Sequence, residues 1–210
     1  MNVLLVNGSP HENGCTHEAL CAVSEALNQN GIGTDLFWIG NQPISGCIAC
    51  KACVGTNRCA LRDTVNDFLE IAGDYDGFVF GSPVHFAGAC GEITAFLDRA
   101  FYADRSGQGC RFCHKPAAAV VSARRAGTTA ALDQLYKYFG LTQMPIISSS
   151  YWNMVHGTSP EQVRQDLEGM QAMGLLGHNM AFRLKCKEVG RKLGIPLPPR
   201  EDPVYTNFIR

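Results

Sequence analysis

Short apolar runs alternate with amphipathic segments along the first 190 residues of the chain. The apolar runs predict buried β-strands at residues 3–6, 34–39, 77–80, 117–121 and 145–147. The segments between and after them space their apolar residues three and four positions apart, as amphipathic helices do. They predict helices at residues 16–30, 63–73, 91–102, 128–139 and 161–190, the last one interrupted near 174–177.

The alternation of strands and helices predicts the arrangement of the sheet. Strands that are separated by helices form a parallel sheet, and right-handed crossovers place helices on both faces. Five such strands fit a doubly wound α/β fold with the order 2-1-3-4-5, whose ligand crevice lies at the carboxyl ends of strands one and three. We expect one domain over residues 1–190 and a proline-rich, extended tail over residues 191–210.

The length and charge of the chain disfavour several classes of partner. The 210 residues suit one domain with a full core, and the formal net charge of −1 differs from the basic surfaces that bind nucleic acid or anionic membranes. No apolar run approaches the roughly 18 residues that span a bilayer. The first residues, MNVLLVNGSP, lack the basic region and long apolar core of a signal peptide, so we expect a cytoplasmic protein with reduced thiols.

The stretch 40–61 has no helix or strand pattern, and it carries four of the ten cysteines. Cys47, Cys50, Cys53 and Cys59 follow the spacing C-x2-C-x2-C-x5-C, which admits a disulfide framework, a zinc site or an iron–sulfur cluster. Reduced thiols weigh against disulfides, and zinc normally takes two separated C-x2-C pairs. Three cysteines at successive x2 spacings are typical of bacterial ferredoxins, and Cys59 would complete a [4Fe–4S] site. Another metal and free thiols are the alternatives.

The remaining cysteines include one further pair. Cys110 and Cys113 form a C-x2-C, and two ligands alone do not make a metal site. Free thiols, a labile disulfide and half of an intersubunit site are the alternatives for them. We place Cys21, Cys90 and Cys186 on helices and expect them to be small core residues.

The loop after strand one, residues 7–16 (NGSPHENGCT), leads into a helix. Unpaired backbone N–H groups and the positive end of the helix dipole attract phosphate at such a helix start. The hydroxyls of Ser9 and Thr16 and the imidazole of His11 would complete an anion site, and an ordinary helix cap is the alternative. The loop lacks both G-x-x-x-x-G-K-[ST] and G-x-G-x-x-G, which disfavours nucleoside triphosphate hydrolysis and a dinucleotide fold.

The loop after strand three, residues 81–91 (GSPVHFAGACG), suits a flat heteroaromatic ring. Pro83 stiffens the turn, while Gly88 and Gly91 permit close approach of the backbone. Between them lies an apolar and aromatic wall: Val84, His85 and Phe86. An ordinary strand-to-helix turn is the alternative.

The loop after strand four, residues 122–129 (SARRAGTT), ends at the same edge of the sheet. Its adjacent arginines, Arg124 and Arg125, are therefore candidates for the crevice. Solvation, or pairing with acids at an interface, is the commoner role of such a pair. Binding a cofactor phosphate is the more specific and less common alternative.

Two of these loops resemble those of a known family. GSPHENGCT is similar to the G-S-P-[RK]-x-x-G-[NS]-T turn of NADPH-dependent FMN reductases with the flavodoxin-like fold. GSPVHFAGACGEITAFLDRAFY is similar to that family's second flavin loop and the helix that follows it, including the pair Asp98-Arg99. The cysteine loop resembles the compact motif of iron–sulfur flavoproteins, a branch of the same superfamily. The resemblance extends over residues 1 to about 190 and implies a flavodoxin-like domain there.

The resemblance implies noncovalent FMN and assigns residues to it. Those that would hold the phosphate are Ser9, His11, Gly14, Cys15 and Thr16. Those that would line the isoalloxazine ring are Pro83, Val84, His85, Phe86 and Gly88. From the strand-four loop, the residues that would approach the ring are Ser122, Arg124, Arg125, Ala126 and Gly127. Members of the family are commonly dimers or tetramers with the flavin at a subunit boundary, so the resemblance also implies a homodimer or homotetramer.

Three positions depart from the family pattern. His11 stands where Arg or Lys is usual, so we expect affinity for FMN to fall as pH rises past about 6.5. Cys15 replaces an amide or a hydroxyl. His85 stands where tyrosine is common, which leaves the stacking partner of the ring open.

The resemblance implies a flavin-dependent oxidoreductase. NADPH or NADH would reduce the bound FMN, and electrons would leave N5 for a quinone, a free flavin or another acceptor, with no catalytic side chain required. The alternative is an iron–sulfur flavoprotein that relays single electrons between FMN, a [4Fe–4S] cluster and protein partners such as ferredoxin. A metal- or redox-sensing module is a third alternative. The sequence distinguishes neither the nucleotide nor the acceptor.

Overall fold

Five parallel strands make up the central sheet. The structure, a computed structural model, describes residues 1–107, 109–199, 201, 204 and 206 of the chain. The strands are β1 (Asn2–Asn7), β2 (Gly33–Trp38), β3 (Gly77–His85), β4 (Gly88–Ala89), β5 (Ala117–Ala123) and β6 (Met154–His156). The parallel strands follow the order β2-β1-β3-β5-β6, and β4 forms a short antiparallel hairpin with β3. This confirms the predicted 2-1-3-4-5 order, with β4 as an additional strand.

In the described part of the chain, six helices cover the two faces of the sheet. They are α1 (Cys15–Gln29), α2 (Thr64–Ile71), α3 (Gly91–Ser106), α4 (Thr128–Leu141), α5 (Pro160–Gln165) and α6 (Leu167–Lys192), with a 3-10 turn at Ala72–Asp74. Helices α2, α3 and α4 pack on one face, while α1, α5 and α6 pack on the other. The doubly wound architecture is therefore confirmed.

Alternating side chains along β3 separate two cores. Phe78 points to the face covered by α2, α3 and α4, and Val79 points to the face covered by α1 and α6. The first face is aromatic: the Phe68 ring lies 5.1 Å from that of Phe96 and stacks on Phe112 at 5.9 Å, measured between centroids. Because these rings lock α2 onto α3, they also fix the loop that enters α2.

The break in the last helical segment lies at Asp166, and the predicted interruption near 174–177 is wrong. The Asp166 carboxylate accepts a 3.0 Å hydrogen bond from Gly169 N and caps α6. Gly177 lies inside α6, where a Cβ atom would come within 2.7 Å of Ala26 Cβ on α1. This glycine lets two helices pack closely and does not end either of them.

The position of the fifth parallel strand also differs from the prediction. Residues 145–147 contribute one parallel bridge, between Ile146 and Ala117, and do not form a strand. The chain then leaves the sheet and returns as β6, whose Met154 pairs with Val121. Both segments are short, and both pair with β5, the first near its start and the second near its end. No local pattern specifies that only the second forms a strand.

The last helix extends into the predicted C-terminal tail. Helix α6 continues to Lys192, two residues beyond the predicted boundary at 190, and residues 195–199 belong to neither a helix nor a strand. Residues 200, 202, 203, 205 and 207–210 lie outside the described residues, so the extended tail stays a prediction. Of the helices described, none is long and apolar enough to cross a membrane.

Candidate functional site

Three loops meet at the carboxyl edge of the sheet. The β1–α1 loop contacts the end of β3, where Gly8 N donates a 2.9 Å hydrogen bond to the Gly81 carbonyl. A Cβ atom on Gly8 would lie 2.7 Å from that oxygen, so the close approach requires glycine. The β5–α4 loop contacts the β3–β4 hairpin, since a Cβ atom on Gly127 would lie 3.0 Å from Val84 Cγ1. The loops singled out by sequence therefore meet at one edge of the sheet.

Buried polar side chains fix the β1–α1 loop. Asn7, which is fully buried, accepts a 3.0 Å hydrogen bond from Ser9 N and donates one of 2.9 Å to the Glu12 carbonyl. The Ser9 hydroxyl accepts from His11 N at 3.1 Å, and Trp38 Nε1 donates to the Ser9 carbonyl at 2.8 Å. Sequence reasoning assigned no role to Asn7 or Trp38. The sequence feature that could have identified Asn7 is its position as a polar residue at the end of an apolar strand.

The N-terminus of α1 lacks a side-chain cap. Gly14 takes the N-cap position with extended backbone, so the first-turn N–H groups and the positive helix end are available to an anion. Thr16 is buried there, and its hydroxyl lies 2.8 Å from that of Ser122 at the end of β5. The Cys15 thiol donates to the Gly157 carbonyl at 3.7 Å. Burial raises the pKa of this thiol, so Cys15 adds no negative charge to the anion site.

The β3–β4 hairpin turns at Phe86 and Ala87. Both residues have positive φ, 48° and 61°, as in a type I′ turn, which favours glycine or asparagine. The Phe86 side chain is fully exposed, and His85 is exposed beside it. Of the five residues predicted to line the ring, three are half-buried: Pro83, Val84 and Gly88. Within one chain, the apolar contact for a ring therefore comes from Pro83 and Val84.

The β5–α4 loop carries two exposed cations. It starts at the buried Ser122 and ends at Gly127, whose φ of 94° favours glycine at the start of α4. Arg124, Arg125 and Ala126 between them are exposed. Neither arginine pairs with a carboxylate of the described residues. Both guanidinium groups are therefore available to an anionic ligand or a neighbouring subunit.

His156 ties this loop to the start of α6. Its Nε2 donates to the Arg125 carbonyl at 3.1 Å, and its backbone N–H donates to the Asp166 carboxylate at 2.7 Å. The imidazole Nδ1 lies 3.6 Å from the same carboxylate. These contacts set the path of the β5–α4 loop from the neighbouring strand.

The four cysteines of the stretch 40–61 line one small pocket that is partly open to solvent. Cys53 is buried, Cys59 is half-buried, and Cys47 and Cys50 are exposed. Burial raises the pKa of the Cys53 thiol, and the nearby sulfurs of the other three raise it further. The lining is completed by Ile48, Lys51, Ala60, Leu61, Arg99, Tyr102 and Ala103.

The thiols are spread around this pocket and do not converge on one point. Among the described residues, no set of three or more His, Cys, Asp or Glu side chains is arranged to hold a single metal ion. Zinc would require such convergence, with sulfur ligands about 2.3 Å from the ion. In an iron–sulfur cluster each thiolate binds a different iron atom, so its cysteines need not converge on one point as zinc ligands do.

The backbone of the cysteine loop takes left-handed conformations at three residues that are not glycine. Ala49 and Lys51 have φ values of 53° and 60°, and they flank Cys50. Asn57, two residues before Cys59, has a φ of 56°. Strained backbone of this kind clusters at ligand clamps, where surrounding contacts fix it. Here the turns bring successive cysteines to the same pocket.

Asn66 and Arg99 hold Cys59 in place. Asn66 accepts a 2.9 Å hydrogen bond from Cys59 N and donates to the carbonyls of Cys59 and Leu61 at 3.0 and 2.9 Å. Arg99 Nε donates to Cys59 Sγ at 3.2 Å. Sequence reasoning gave neither residue a role, because no spacing rule connects Cys59 to a helix 40 residues away. The sequence feature that could have identified Arg99 is the pair Asp98-Arg99 within the matched motif.

Arg99 carries a buried positive charge beside the cysteine pocket. The residue is 1% exposed, and its Nη1 and Nη2 lie 2.6 and 2.8 Å from the two carboxylate oxygens of Asp63. Burial alone would lower the pKa of Arg99, but the hydrogen bonds to Asp63 and Cys59 outweigh burial and raise it. The guanidinium is therefore a permanent cation at this site.

The other cysteines lie in different environments. Cys90 is buried, as predicted, at the N-cap of α3. Cys21 and Cys186 are exposed, so the prediction that they belong to the core is wrong. Each lies off the buried stripe of its helix. Cys110 is exposed and Cys113 is half-buried, in the loop between α3 and β5.

Comparison with known proteins agrees with this geometry. The sequence profile described as NADPH-dependent FMN reductase matches residues 1–159. An iron-sulfur flavoprotein of Methanocaldococcus jannaschii is 26% identical over 190 residues, which cover 88% of this chain and 98% of that protein.

Solved structures share the fold at lower identity. The WrbA-like flavodoxin from Agrobacterium tumefaciens has a TM-score of 0.63 and 16% identity, over 88% of this chain and 98% of that one. RosB with the bound intermediate 8-demethyl-8-formylriboflavin-5'-phosphate has a TM-score of 0.71 and 12% identity, over 100% of this chain and 94% of that one. The flavodoxin-like fold implied by the two loop motifs is thus confirmed. With 159 of its 210 residues matched, the chain belongs to the NADPH-dependent FMN reductase family of flavoprotein oxidoreductases.

Proposed function

We propose that the chain binds FMN noncovalently at the carboxyl edge of the sheet and acts as an NAD(P)H-dependent oxidoreductase. One observation carries this proposal: the α1 N-terminus has no side-chain cap and adjoins the buried hydroxyls of Thr16 and Ser122. A phosphate is the ligand that such a positive helix end accepts. Family membership supports a flavin phosphate as that ligand.

Five residues of the β1–α1 loop would hold the phosphate: Ser9, His11, Gly14, Cys15 and Thr16. The first-turn N–H groups would donate hydrogen bonds, as would the Ser9 hydroxyl, whose proton is not used when its oxygen accepts from His11 N. Cys15 would contribute its backbone N–H group, because its thiol is hydrogen-bonded to the Gly157 carbonyl. Trp38 keeps the Ser9 carbonyl, and with it the loop, at its present position.

The other two loops would position the ring. On the β3 side these are Pro83, Val84, His85, Phe86 and Gly88, and on the β5 side Ser122, Arg124, Arg125, Ala126 and Gly127. Pro83 and Val84 supply apolar contact from within the chain, while backbone N–H groups of the turns supply hydrogen bonds along the ring edge. When bound, FMN supplies hydride and single-electron transfer, so the chain needs to bind and orient it and to exclude water.

We propose NADPH or NADH as the electron donor. A quinone, a free flavin or another acceptor would take the electrons. Arg124 and Arg125 lie exposed at the edge of the crevice, where a guanidinium can bind a nucleotide phosphate in a bidentate manner. These two arginines are therefore the residues that we expect to influence the choice between the two nucleotides.

The cysteine loop favours a second function, an iron–sulfur flavoprotein that exchanges single electrons with protein partners such as ferredoxin. Four soft thiols line one pocket, and a buried cation beside them offsets the negative charge that thiolates and a cluster would bring. Cys47, Cys50, Cys53 and Cys59 would hold a [4Fe–4S] cluster, which supplies one-electron transfer when bound. The name of the Methanocaldococcus jannaschii relative, an iron-sulfur flavoprotein, supports this candidate.

We also propose that the chain forms a homodimer or homotetramer in the reducing cytoplasm. Large apolar side chains are exposed around the crevice edge and beyond β5: Phe86, Tyr151 and Trp152. Exposed aromatic residues of this kind mark contact surfaces, and a second subunit over Phe86 would lie next to the proposed ring position. Ten cysteines suit a compartment that keeps thiols reduced.

Anaerobic purification with excess FMN tests the first function. We expect retained flavin, with quenched fluorescence, and oxidation of NADPH or NADH when a quinone or free flavin is supplied. His11→Glu puts a carboxylate where the phosphate would bind and should weaken FMN binding by about tenfold or more, or about 1.4 kcal/mol. Gln29→Glu adds the same charge at the other end of α1 and should leave binding unchanged. Wild-type protein that retains no FMN under these conditions contradicts the proposal.

Iron and acid-labile sulfide contents of the same preparation test the second function. We expect about four of each per chain for a [4Fe–4S] group. Zinc in place of iron, or thiols that all react with a thiol reagent, would contradict it. Comparing the rates of nucleotide oxidation with a quinone and with a ferredoxin then distinguishes turnover on small molecules from electron exchange between proteins.

A further inference from the structure

The guanidinium of Arg99 joins both ends of the cysteine loop. Its Nη1 donates to the Ser45 carbonyl at 3.3 Å, two residues before Cys47. Its Nη2 donates to the Leu61 carbonyl at 3.1 Å, two residues after Cys59. Its Nε donates to the Cys59 sulfur itself at 3.2 Å. One side chain on α3 therefore closes the segment that carries all four candidate ligands.

We propose that Arg99 is a positioning residue for the iron–sulfur group. It holds the Cys59 sulfur in place by an N–H···S hydrogen bond and, as a buried cation, raises the reduction potential of the cluster. This inference rests on the second proposed function, the binding of a cluster by the cysteine loop. Hydrogen bonds to ligand sulfurs, nearby charge and burial are the means by which a protein sets such potentials.

The direction of the effect follows from the charge balance. One-electron reduction makes and breaks no covalent bond, and it leaves the cluster with its thiolates one unit more negative. A fixed positive charge, together with an N–H donor on one ligand, stabilises that more negative form. In the proposed function the electron comes from reduced flavin, and in the test below it comes from dithionite.

The geometry requires arginine. A guanidinium donates through Nε, Nη1 and Nη2 in one plane, and here each of the three nitrogens has a different partner in the loop. Lysine would supply the charge from a single nitrogen and could not reach the sulfur and both carbonyls together. Asp63 accepts from the two terminal nitrogens as well, which orients the plane and neutralises part of the charge.

A substitution of Asp63 tests the inference in the opposite direction, because it should raise the reduction potential where a substitution of Arg99 should lower it. Its side chain is 32% exposed, and one of its oxygens also accepts from Val65 N at 3.2 Å as the N-cap of α2. Asparagine caps helices as well as aspartate does and can still accept from arginine. Asp63→Asn therefore removes a negative charge while it keeps the cap, so the potential should rise. Arg99→Gln removes the cation and leaves the carboxylate, so the potential should fall.

The experiment compares wild type, Arg99→Gln, Asp63→Asn and the control Arg58→Gln in full-length protein purified without oxygen. Arg58 lies next to Cys59 in the same loop, but its side chain is 57% exposed and pairs with Glu70. FMN, iron and sulfide are measured per chain, and the potential is measured by dithionite titration followed by electron paramagnetic resonance. Release of iron to a chelator gives a second readout, which should be about tenfold or more faster in Arg99→Gln.

The inference is supported if the potential falls in Arg99→Gln, rises in Asp63→Asn and stays at the wild-type value in Arg58→Gln. Loss of iron from Arg99→Gln with FMN retained also supports it. If Arg99→Gln does not fold, the sign of the Asp63→Asn shift decides: a rise supports the inference, and no change or a fall overturns it. Wild type that holds iron while both variants keep its potential overturns this inference alone. Wild type that binds FMN but no iron overturns it together with the second proposed function.

Discussion

The hydroxyl of Thr16 lies 2.8 Å from the hydroxyl of Ser122, and this hydrogen bond joins the start of α1 to the end of β5. Thr16 is 1% and Ser122 is 4% exposed, so water does not replace a lost partner. We expect Thr16→Val to lower the free energy of unfolding by about 1–2 kcal/mol and to weaken FMN retention. Chemical denaturation and flavin content measure the two effects.

A double-mutant cycle checks that the two hydroxyls act on each other. Ser122→Ala should cost about 1 kcal/mol. The double variant should lose less stability than the sum of the single losses, because the second change removes no further hydrogen bond. Additive losses would mean that the two hydroxyls are energetically independent.

The contact between Tyr138 and Asp98 predicts a stability that depends on alkaline pH. The Tyr138 hydroxyl donates to the Asp98 carboxylate at 2.6 Å and joins α4 to α3. Burial raises the pKa of Tyr138 above its ordinary value of 10.0, and the hydrogen bond to Asp98 raises it further. Above about pH 10 the unfolded chain therefore loses this proton while the folded chain keeps it, so the free energy of unfolding falls as pH rises.

Tyr138→Phe removes this titration and should flatten the alkaline side of the stability curve. Below about pH 10 it should cost only the loss of one hydrogen bond, roughly 1–2 kcal/mol. Denaturant unfolding at a series of pH values makes the comparison, and equal alkaline slopes for wild type and Tyr138→Phe would refute the explanation.

Two glycines of α6 should respond in opposite directions to the same substitution. A Cβ atom on Gly177 would lie 2.7 Å from both Ala26 Cβ and the Val23 carbonyl, so Gly177→Ala should separate α1 from α6 and destabilise the fold by about 1–3 kcal/mol. A Cβ atom on Gly174, one turn earlier, would meet no atom within 4 Å. Gly174→Ala should therefore stabilise the helix by up to about 1 kcal/mol. Thermal unfolding of the two variants measures the difference, and equal shifts would contradict it.

His11 predicts that FMN binding depends on the charge at this position of the β1–α1 loop. His11→Arg places a permanent cation where the phosphate would bind, so it should strengthen FMN binding by up to about tenfold, or about 1.4 kcal/mol. His17→Arg, a cation on the body of α1, is the control and should bind FMN as the wild type does. Fluorescence titration gives the dissociation constants, and equal values for wild type and His11→Arg would exclude His11 from the phosphate site.

The order of the sheet could be predicted from sequence, whereas the details at its edge could not. Continuous apolar runs such as 3–6 and 117–121 are buried on both faces, and only the centre of a parallel sheet provides that environment. The runs 145–147 and 154–156 are equally short and both pair with β5, the first near its start and the second near its end, and no local pattern shows that only the second forms a strand. In the same way Gly177 predicts a helix break when seen alone, and only the presence of Ala26 across the interface explains it.

The candidate site was likewise predictable from sequence only in part. The flavin loops follow strands directly, so the fold brings them to one edge and short motifs are enough to find them. Arg99 is different, because within α3 it lies beside the apolar stripe where a solvated residue would be expected. Its partners Asp63 and Cys59 come from a loop about 40 residues earlier. Contacts of that separation follow from the packing of α2 on α3, which local sequence does not encode.

Helix α3 begins at Gly91, directly after the hairpin that would face the flavin, and presents Arg99 to the cysteines eight residues later. At 1.5 Å per residue, that span is about 12 Å of rigid rod. An inserted residue between the two points would lengthen the rod only slightly but would turn the guanidinium by about 100° around the axis, away from the sulfur. Insertions and deletions within this interval should therefore be rejected.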